Sequence, residues 1–428
     1  MTEHYAVAIV GGGQAGLSMS YCLKERGIDH IIFEQNQIGY AWRDRRWDSF
    51  CLVTPNWQCQ LPGFPYAGND PHGFMQKDEI VEYIKDYARF VDPPIREGVS
   101  VTSARQNKST DRFEITTSIG DFTADQVIVA VGGYHIPKRP KMAERLPAQI
   151  VQIHASEYKN PQSLPDRPIL VVGTGQSGCQ IAEDLHLAGK KVHLCVGSAP
   201  RSPRRYRGKD VVDWLDRMGY YDLTIDDHPQ QEKVRAKANH YLTGRDGGRE
   251  IDLRQFAVAG MQLHGRLIDI CDRKLKFSPD LKQNLDGADA VSESIKKTID
   301  NFIQKHQIEA PLEDTYQAVW EPEAEILDLD YVEANIGAVI WCTGYHANFS
   351  WVEIPVFDGK GYPGHERGVT TVSGLYFLGL PWLYTWGSGR FSGIARDAQY
   401  IADYIAARKK KAVSSGGWSV VNEFLLGS

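Results

Sequence analysis

The sequence predicts an α/β fold with two Rossmann-like domains, and three observations predict it. The pattern Gly11-x-Gly13-x-x-Gly16 lies in "AIVGGGQAGLSMSYCL" (8–23), between an apolar run and a helical one. A near-copy, Gly173-x-Gly175-x-x-Gly178, lies in "LVVGTGQSGCQIAEDL" (170–185), about 160 residues later. Each copy is flanked by short apolar runs, so each opens its own βαβ unit.

The elements come in order. Residues 5–10 read as a buried strand, 14–27 as a helix closed by Gly27, and 30–34 ("HIIFE") as the next strand. A helix over 77–90 stops before Pro93-Pro94. Strands are expected at 99–106, 112–118 and 121–132, and Pro137, Pro140 and Pro147 punctuate the stretch after the last of them. The second unit reads as strand 168–172, helix 176–189 and strand 191–196. Residues 206–330 are more polar, with a helix expected over 288–306. Strands at 337–344 and 374–380 and a helix over 391–408 complete the pattern. The domains are read as 1–160 with 335–428, and 161–334 with a helical insertion at about 206–310.

Composition narrows the function. The 428 residues, 42% of them hydrophobic, suffice for two cores. A net charge of −6 argues against nucleic acid as a partner. No run of 18 apolar residues occurs, so no membrane span is expected. The N-terminus carries no basic region ahead of an apolar one, and a cytoplasmic address is the expectation. The seven cysteines include no Cys-x-x-Cys, so neither a disulfide framework nor a metal site is expected. The basic run Lys409–Lys411 and the apolar tail "VVNEFLL" are the features that would serve a homodimer contact, against the plainer reading of a solvated helix end.

In the first unit, Gly11 permits the turn, Gly13 lets the backbone approach a pyrophosphate, and Gly16 packs helix on strand. An acid for a ribose hydroxyl belongs about 20 residues on. Glu34 stands there, 23 residues after Gly11. FAD or NAD with an ordinary ribose fits. In the second unit the matching position is Val196, followed by Arg201, Arg204 and Arg205. Arginines suit a 2′-phosphate and a carboxylate repels one, so this unit is read as an NADPH site. Together they form a donor site and an acceptor site in one chain.

From these residues outward, the sequence resembles the class B flavoprotein monooxygenases. "IGYAWRDRRWDSFCLVTPNW" (38–57) is similar to the family segment after the ribose acid, with Gly39, Trp42 and Arg43 beside the flavin. "VIVAVGGYHIPKRP" (127–140) resembles the interdomain crossover, and "VIWCTGYHANFSW" (339–351) carries the Thr343-Gly344-Tyr345 signature. "GLYFLGLPWLYTWGSGRFSGIARDAQYIADYI" (374–405) resembles the closing flavin strand and helix. The resemblance further implies cofactor contacts at Gln35, Val101, Gly132, Gly379, Phe391, Gln176 and Ser177. One departure stands out. "AQIVQIHASEY" keeps His154 and Tyr158 of the family's linker fingerprint but has Ala148 and Ile150 where Phe and Gly belong. His154 is read as orienting the linker or as structural.

The resemblance implies that NADPH reduces FAD and that dioxygen adds at flavin C4a. A small substrate with a nitrogen, a sulfur or a carbonyl group then takes one oxygen atom. Asn56 is the candidate catalytic residue, near the flavin, with a turn role beside Pro55 as the alternative. Trp47, Trp57, Trp382, Tyr384 and Trp386 are candidate pocket walls, or core. The competing activities are an oxidase, dehydrogenase, halogenase or NADPH oxidase on the same scaffold. A disulfide reductase lacks its cysteine pair.

Overall fold

The computed structural model describes residues 2–416, with side chains to Arg408. The Lys409–Lys411 side chains and the tail 420–426 lie outside the described residues.

Two parallel sheets organise the chain. The first runs Leu375–Phe377, Gly120–Val129, Glu3–Val10, His30–Glu34, Ile95–Glu97, all parallel. Short antiparallel strands Val369–Thr370 and His365–Glu366 extend one edge, and Val101–Asn107 and Arg112–Thr117 form a meander with Gly120–Val129. The second runs Val151–His154, Ala338–Trp341, Ile169–Val172, Val192–Cys195, Gln262–His264, again all parallel. Ile169–Val172 and Ala338–Trp341 are buried at every position, which is why they read as unbroken apolar runs.

Helix Gln14–Lys24 packs between Lys77–Val91 and Ile394–Gly416 on one face of the first sheet. Ile9, Leu17, Ile80 and Ile401 are central to that core. Helix Gln176–Leu187 serves the second sheet, with Val171, Ile181, Leu194, Leu285 and Ile340 packed together. Helix Lys77–Val91 starts at a capping box between Gln76 and Glu79 and ends at Asp92, which has φ +47 ahead of the two prolines.

The domain boundaries at 160 and 335 need correction. Val151–His154 and Ala338–Trp341 both belong to the second sheet. The crossovers therefore lie between Val129 and Val151 and between Trp341 and Leu375. An apolar strand run does not say which sheet it joins, since pairing is a long-range choice.

Residues 206–330 are ordered. They supply the fifth strand of the second sheet, Gln262–His264, and a hairpin, Leu267–Cys271 with Lys274–Phe277, widened by Asp328–Asp330. The long helix spans Leu281–Lys305 and so starts seven residues before the expected 288. Its cap is remote: the N–H groups of Leu281 and Lys282 donate to Glu325, at 3.1 and 3.0 Å. Among the described residues no helix is long and apolar enough to cross a membrane.

A histidine pair, His264 buried and His193 half-buried, ties the edge strand Gln262–His264 to its neighbour in the second sheet. His193 Nδ1 and His264 Nε2 are 3.0 Å apart, and His264 also stacks on Phe277. Burial lowers the His264 pKa from 6.5 to about 3. The unfolded chain therefore binds a proton first as pH falls, and stability drains from about 6.5 down toward 3. Denaturant midpoints taken at about pH 7 and about pH 5 should show this fall, and His264→Gln should reduce it. A slope equal to that of the unaltered chain would remove His264 as its source.

Candidate functional site

Both glycine loops have the same construction. Gly11 (φ +106) and Gly173 (φ +103) need glycine for their backbone. A Cβ on Gly16 would lie 1.9 Å from Gly11 O, and one on Gly178 would lie 1.9 Å from Gly173 O, so each helix packs directly on its own loop. The middle glycines differ. Gly13 has φ −75 and Gly175 has φ −64, values open to any residue. A Cβ on either would meet nothing within 4 Å. Nothing in the protein itself requires glycine at these two positions.

The helices behind them are also unusual. Gln14–Lys24 and Gln176–Leu187 begin without a side-chain cap and without an acid in the first turn. The other long helices are supplied: Lys77–Val91 by its box, Leu281–Lys305 by Glu325, and Ile394–Gly416 by Asp397. Two helix N-termini are thus left with free N–H groups and positive dipole ends facing the glycine loops.

The strand ends beside the loops diverge. Glu34 accepts from Gly12 N and from Asn36 N, both at 2.7 Å, so its carboxylate is pinned at the mouth of the first loop. In the second unit the tie is reversed. Thr174, at the position matching Gly12, accepts from Gly197 N at 2.9 Å. No acid is needed there, and Val196 is buried. Gln176 is spent on the same neighbourhood: its amide exchanges hydrogen bonds with the backbone N and O of Leu242. Ser177 is next in the chain, half-buried in the first turn of that helix.

A pocket of about 370 Å³ opens just past Glu34, lined by Asn36, Gln37, Tyr40, Arg43, Glu97 and Gly98. Gln35 is exposed, and Val101 packs on the neighbouring core. Gly39 (φ +81) starts the turn that carries Trp42, whose ring stacks on Phe391 at 5.4 Å. Gly379 (φ +83) lets the closing segment lie against Ala15, and Gln14 Nε2 donates to Gly389 O at 3.1 Å. Positions 14, 42, 379 and 391 thus converge on the first loop.

The two crossovers are clamped together. Ile136–Pro137 pairs antiparallel with Tyr345–His346, Lys138 N donates to Gly344 O at 2.9 Å, and Thr343 Oγ1 donates to Lys138 O. His154 is fully buried, with Nε2 3.0 Å from Gly344 O and its ring against Tyr345. Burial lowers its pKa. Gly132 (φ +73) turns the chain into the first crossover.

The arginine expectation is corrected for two of its three members. Arg201, 1% exposed, meets Glu250 at 2.8 Å and Asp289 at 2.7 Å and stacks over Tyr316. Arg204, also 1% exposed, pairs with Asp210 and donates to Val53 O at 2.7 Å. Guanidiniums neutralised by carboxylates offer no field to a phosphate. Arg205 is exposed, with one contact to Gly247 O. Asn56 is likewise committed: Nδ2 donates to Asp70 O and Oδ1 accepts from Met75 N, so the amide braces the 70–75 loop rather than facing a reactant. Trp47 lies in the second core, and Trp57 donates to Asp213 at 3.0 Å. Trp382 packs with Ile225 and Val234, and Tyr384 lies against Arg367. Trp386 packs at a tilt on Tyr221.

Sequence reasoning missed Asn36, Gln37, Tyr40, Glu97 and Gly98 of the pocket, and Thr174. Thr174 had a signal, one residue after Gly173 and level with Gly12; the others had none. Among the described residues no group of three His, Cys, Asp or Glu could hold a metal.

A family model described as pyridine nucleotide-disulphide oxidoreductase matches residues 8–270. An uncharacterized CzcO-like oxidoreductase of Geobacillus kaustophilus is 35% identical over 402 residues, 93% of this chain and 97% of that protein. The indole-3-pyruvate monooxygenase YUCCA6 of Arabidopsis thaliana is 32% identical over 199 residues, 45% of this chain and 47% of that one. A flavin-containing monooxygenase from Stenotrophomonas maltophilia superposes with a TM-score of 0.62 at 18% identity, covering 95% of this chain and 99% of that one. A bacillithiol disulfide reductase from Bacillus cereus reaches 0.60 at 17%, covering 95% and 100%. The fold is shared with both.

The arginine geometry has a direct test. Arg201→Leu should cost about 1–3 kcal/mol of stability, because it removes a buried guanidinium from its ion pairs with Glu250 and Asp289 and leaves Asp289 with Arg254 alone. The ratio of kcat/KM for NADPH to that for NADH should not move. A fall in that ratio at unchanged Tm would return Arg201 to the phosphate.

Proposed function

This chain belongs to the pyridine nucleotide-disulphide oxidoreductase family, and on that footing we propose that it is an FAD-dependent, NADPH-consuming monooxygenase. Its substrate is a small molecule oxygenated by O₂ at nitrogen, sulfur or a carbonyl group. The observation that carries the two-cofactor part is the pair Gly13 and Gly175. Each is a glycine with ordinary φ and open space where a Cβ would be, at an uncapped helix N-terminus. That combination suits a backbone approached by a pyrophosphate.

FAD fits the first loop. Its ribose hydroxyls suit Glu34, its adenine side suits the pocket at 36–43 and 97–98, and its ring suits the Trp42–Phe391 wall. NADPH fits the second loop, Gly173–Gly178. There the absence of an acid at Val196 and the exposed Arg205 favour a 2′-phosphate. Bound FAD would supply the redox chemistry, passing electrons from nicotinamide to dioxygen. The chain's own part would be to hold the two rings close together, with Trp42 and the clamped crossovers beside them.

Oxygen transfer is favoured over disulfide reduction by the thiols. All seven cysteines are free, and burial pushes Cys59 up to about 12 and raises Cys51. Such thiols are poor nucleophiles. The Arabidopsis relative, named a monooxygenase, points the same way.

Because a Cβ at either middle glycine meets no protein atom, substitutions there should leave the fold intact. Gly13→Ala is expected to purify without flavin, with the stability of the flavin-free chain changed by less than about 1 kcal/mol. Gly175→Ala should keep flavin and raise the NADPH KM about tenfold or more. Wild-type flavin content and NADPH affinity in both variants would sink the assignment.

The oxygenase part is tested by stoichiometry. On a panel of amines, thioethers and ketones, at least one substrate should match NADPH consumed to oxygenated product. Hydrogen peroxide as the sole product throughout would make the chain an oxidase.

A further inference from the structure

The half-buried arginines without a carboxylate partner among the described residues include Arg46, which donates to Arg45 O at 3.1 Å and lies over Trp42 and Phe50, and Arg390, which stands at the junction of the two domains. Arg201, Arg204 and Arg254 all contact carboxylates. Arg390 has none within 4.0 Å among the described residues. Its Nη1 donates to Trp386 O and its Nη2 to Asn239 Oδ1 at 3.0 Å, both neutral acceptors. Its guanidinium stacks on the Trp386 ring at 4.0 Å. Tyr134, Tyr220 and Tyr221 stand around it, and burial pulls its pKa down. Trp386 in turn packs on Tyr221 at 4.8 Å.

The position matters as much as the charge. Arg390 precedes Phe391, which stacks on Trp42 beside the first glycine loop. Tyr134 comes from the first crossover, and Tyr220, Tyr221 and Asn239 come from the 206–330 segment. The guanidinium therefore sits where both domains and the closing loop meet. A cation drawn from water and given only neutral acceptors is costly unless an anion completes it. A planar guanidinium suits a carboxylate in particular. Aromatic walls beside it suit an apolar body.

We propose that Arg390 receives the carboxylate of an aromatic or apolar organic acid, with Trp386, Tyr220 and Tyr221 walling the remainder of the molecule. On the monooxygenase reading, which supplies the word substrate, this makes organic acids the substrate class. The pyrophosphate of NADPH presents the same anionic chemistry, and the experiment separates the two sources.

The full-length protein is titrated with 3-phenylpropanoate and with its neutral isostere 3-phenylpropanamide, followed by tryptophan fluorescence and calorimetry. The acid should bind about tenfold tighter or better. R390Q should bring the acid to the level of the amide, and R390K, which keeps the charge and guards against a folding defect, should restore part of the preference. Flavin content and the rate of flavin reduction by NADPH should be unchanged in both. Equal binding of acid and amide by the unaltered protein overturns the proposal. So does an R390Q that weakens NADPH while the acid preference survives, which would assign the arginine to the cofactor. Absence of flavin or of reduction by NADPH defeats the monooxygenase reading instead, and the comparison of acid with amide stays readable.

Discussion

Each glycine loop is built against the start of an interdomain crossover, and the site depends on that contact. A Cβ on Gly11 would lie 2.7 Å from Ala130 O, where the chain leaves the first sheet. A Cβ on Gly173 would lie 2.8 Å from Cys342 O, where the chain leaves the second. The two crossovers then meet, Ile136–Pro137 against Tyr345–His346, with His154 closing the junction on Gly344 O. Loop geometry and domain orientation are thus one mechanical system. The spacing between the two loops is set by the backbone packing of the linkers together with side-chain bonds between the domains such as Arg204 to Val53 O and Trp57 to Asp213. The departure from the linker fingerprint at Ala148 and Ile150 becomes intelligible in this light. The clamp is made by His154, the Thr343 hydroxyl and backbone groups, and Ile150 is buried in the small core around Trp341.

The part of the fold that was legible in the sequence is the part encoded locally. The two βαβ units and the place of Glu34 at a strand end come from glycine spacing and from runs of four or five apolar residues, whereas the expected strand ends at 132 and 196 fall at Val129 and Cys195. The hidden part is long-range. Arg201 and Arg204 looked like a phosphate site because the run "RSPRR" is basic in isolation. Their neutralising carboxylates arrive on other segments, Glu250 and Asp289 for Arg201 and Asp210 for Arg204. The start of helix Leu281–Lys305 was hidden for the same reason, since Glu325 caps it from 44 residues away. Local charge density is a poor guide to net field when the partner acids are distant in sequence.

The same accounting of charges gives Arg390 its meaning. Its own stretch, "GSGRFSG", has one basic residue and no acid. A lone arginine in a glycine-rich loop reads as ordinary surface. Only the folded chain shows that the glycines at 387, 389 and 393 coil this segment tightly: a Cβ on Gly387 would meet Gly393 at 2.9 Å, and one on Gly389 would meet Gly379 O at 2.6 Å. That tight winding aims the side chain inward, over Trp386, instead of outward.

Membership of a family named for disulfide chemistry leaves the electron acceptor to be argued from the thiols. A dithiol acceptor needs two sulfurs in contact with the reduced ring and at least one of them ionised near neutral pH. Here four of the thiols are used as small apolar groups. Cys179 donates to Thr174 O beneath the second glycine loop, Cys342 packs on Gly178, and Cys22 and Cys59 lie in the first core. Burial raises all four, Cys22, Cys59 and Cys342 to about 12. On the proposed monooxygenase reading, electrons entering the chain bypass these sulfurs and leave to a diffusible acceptor.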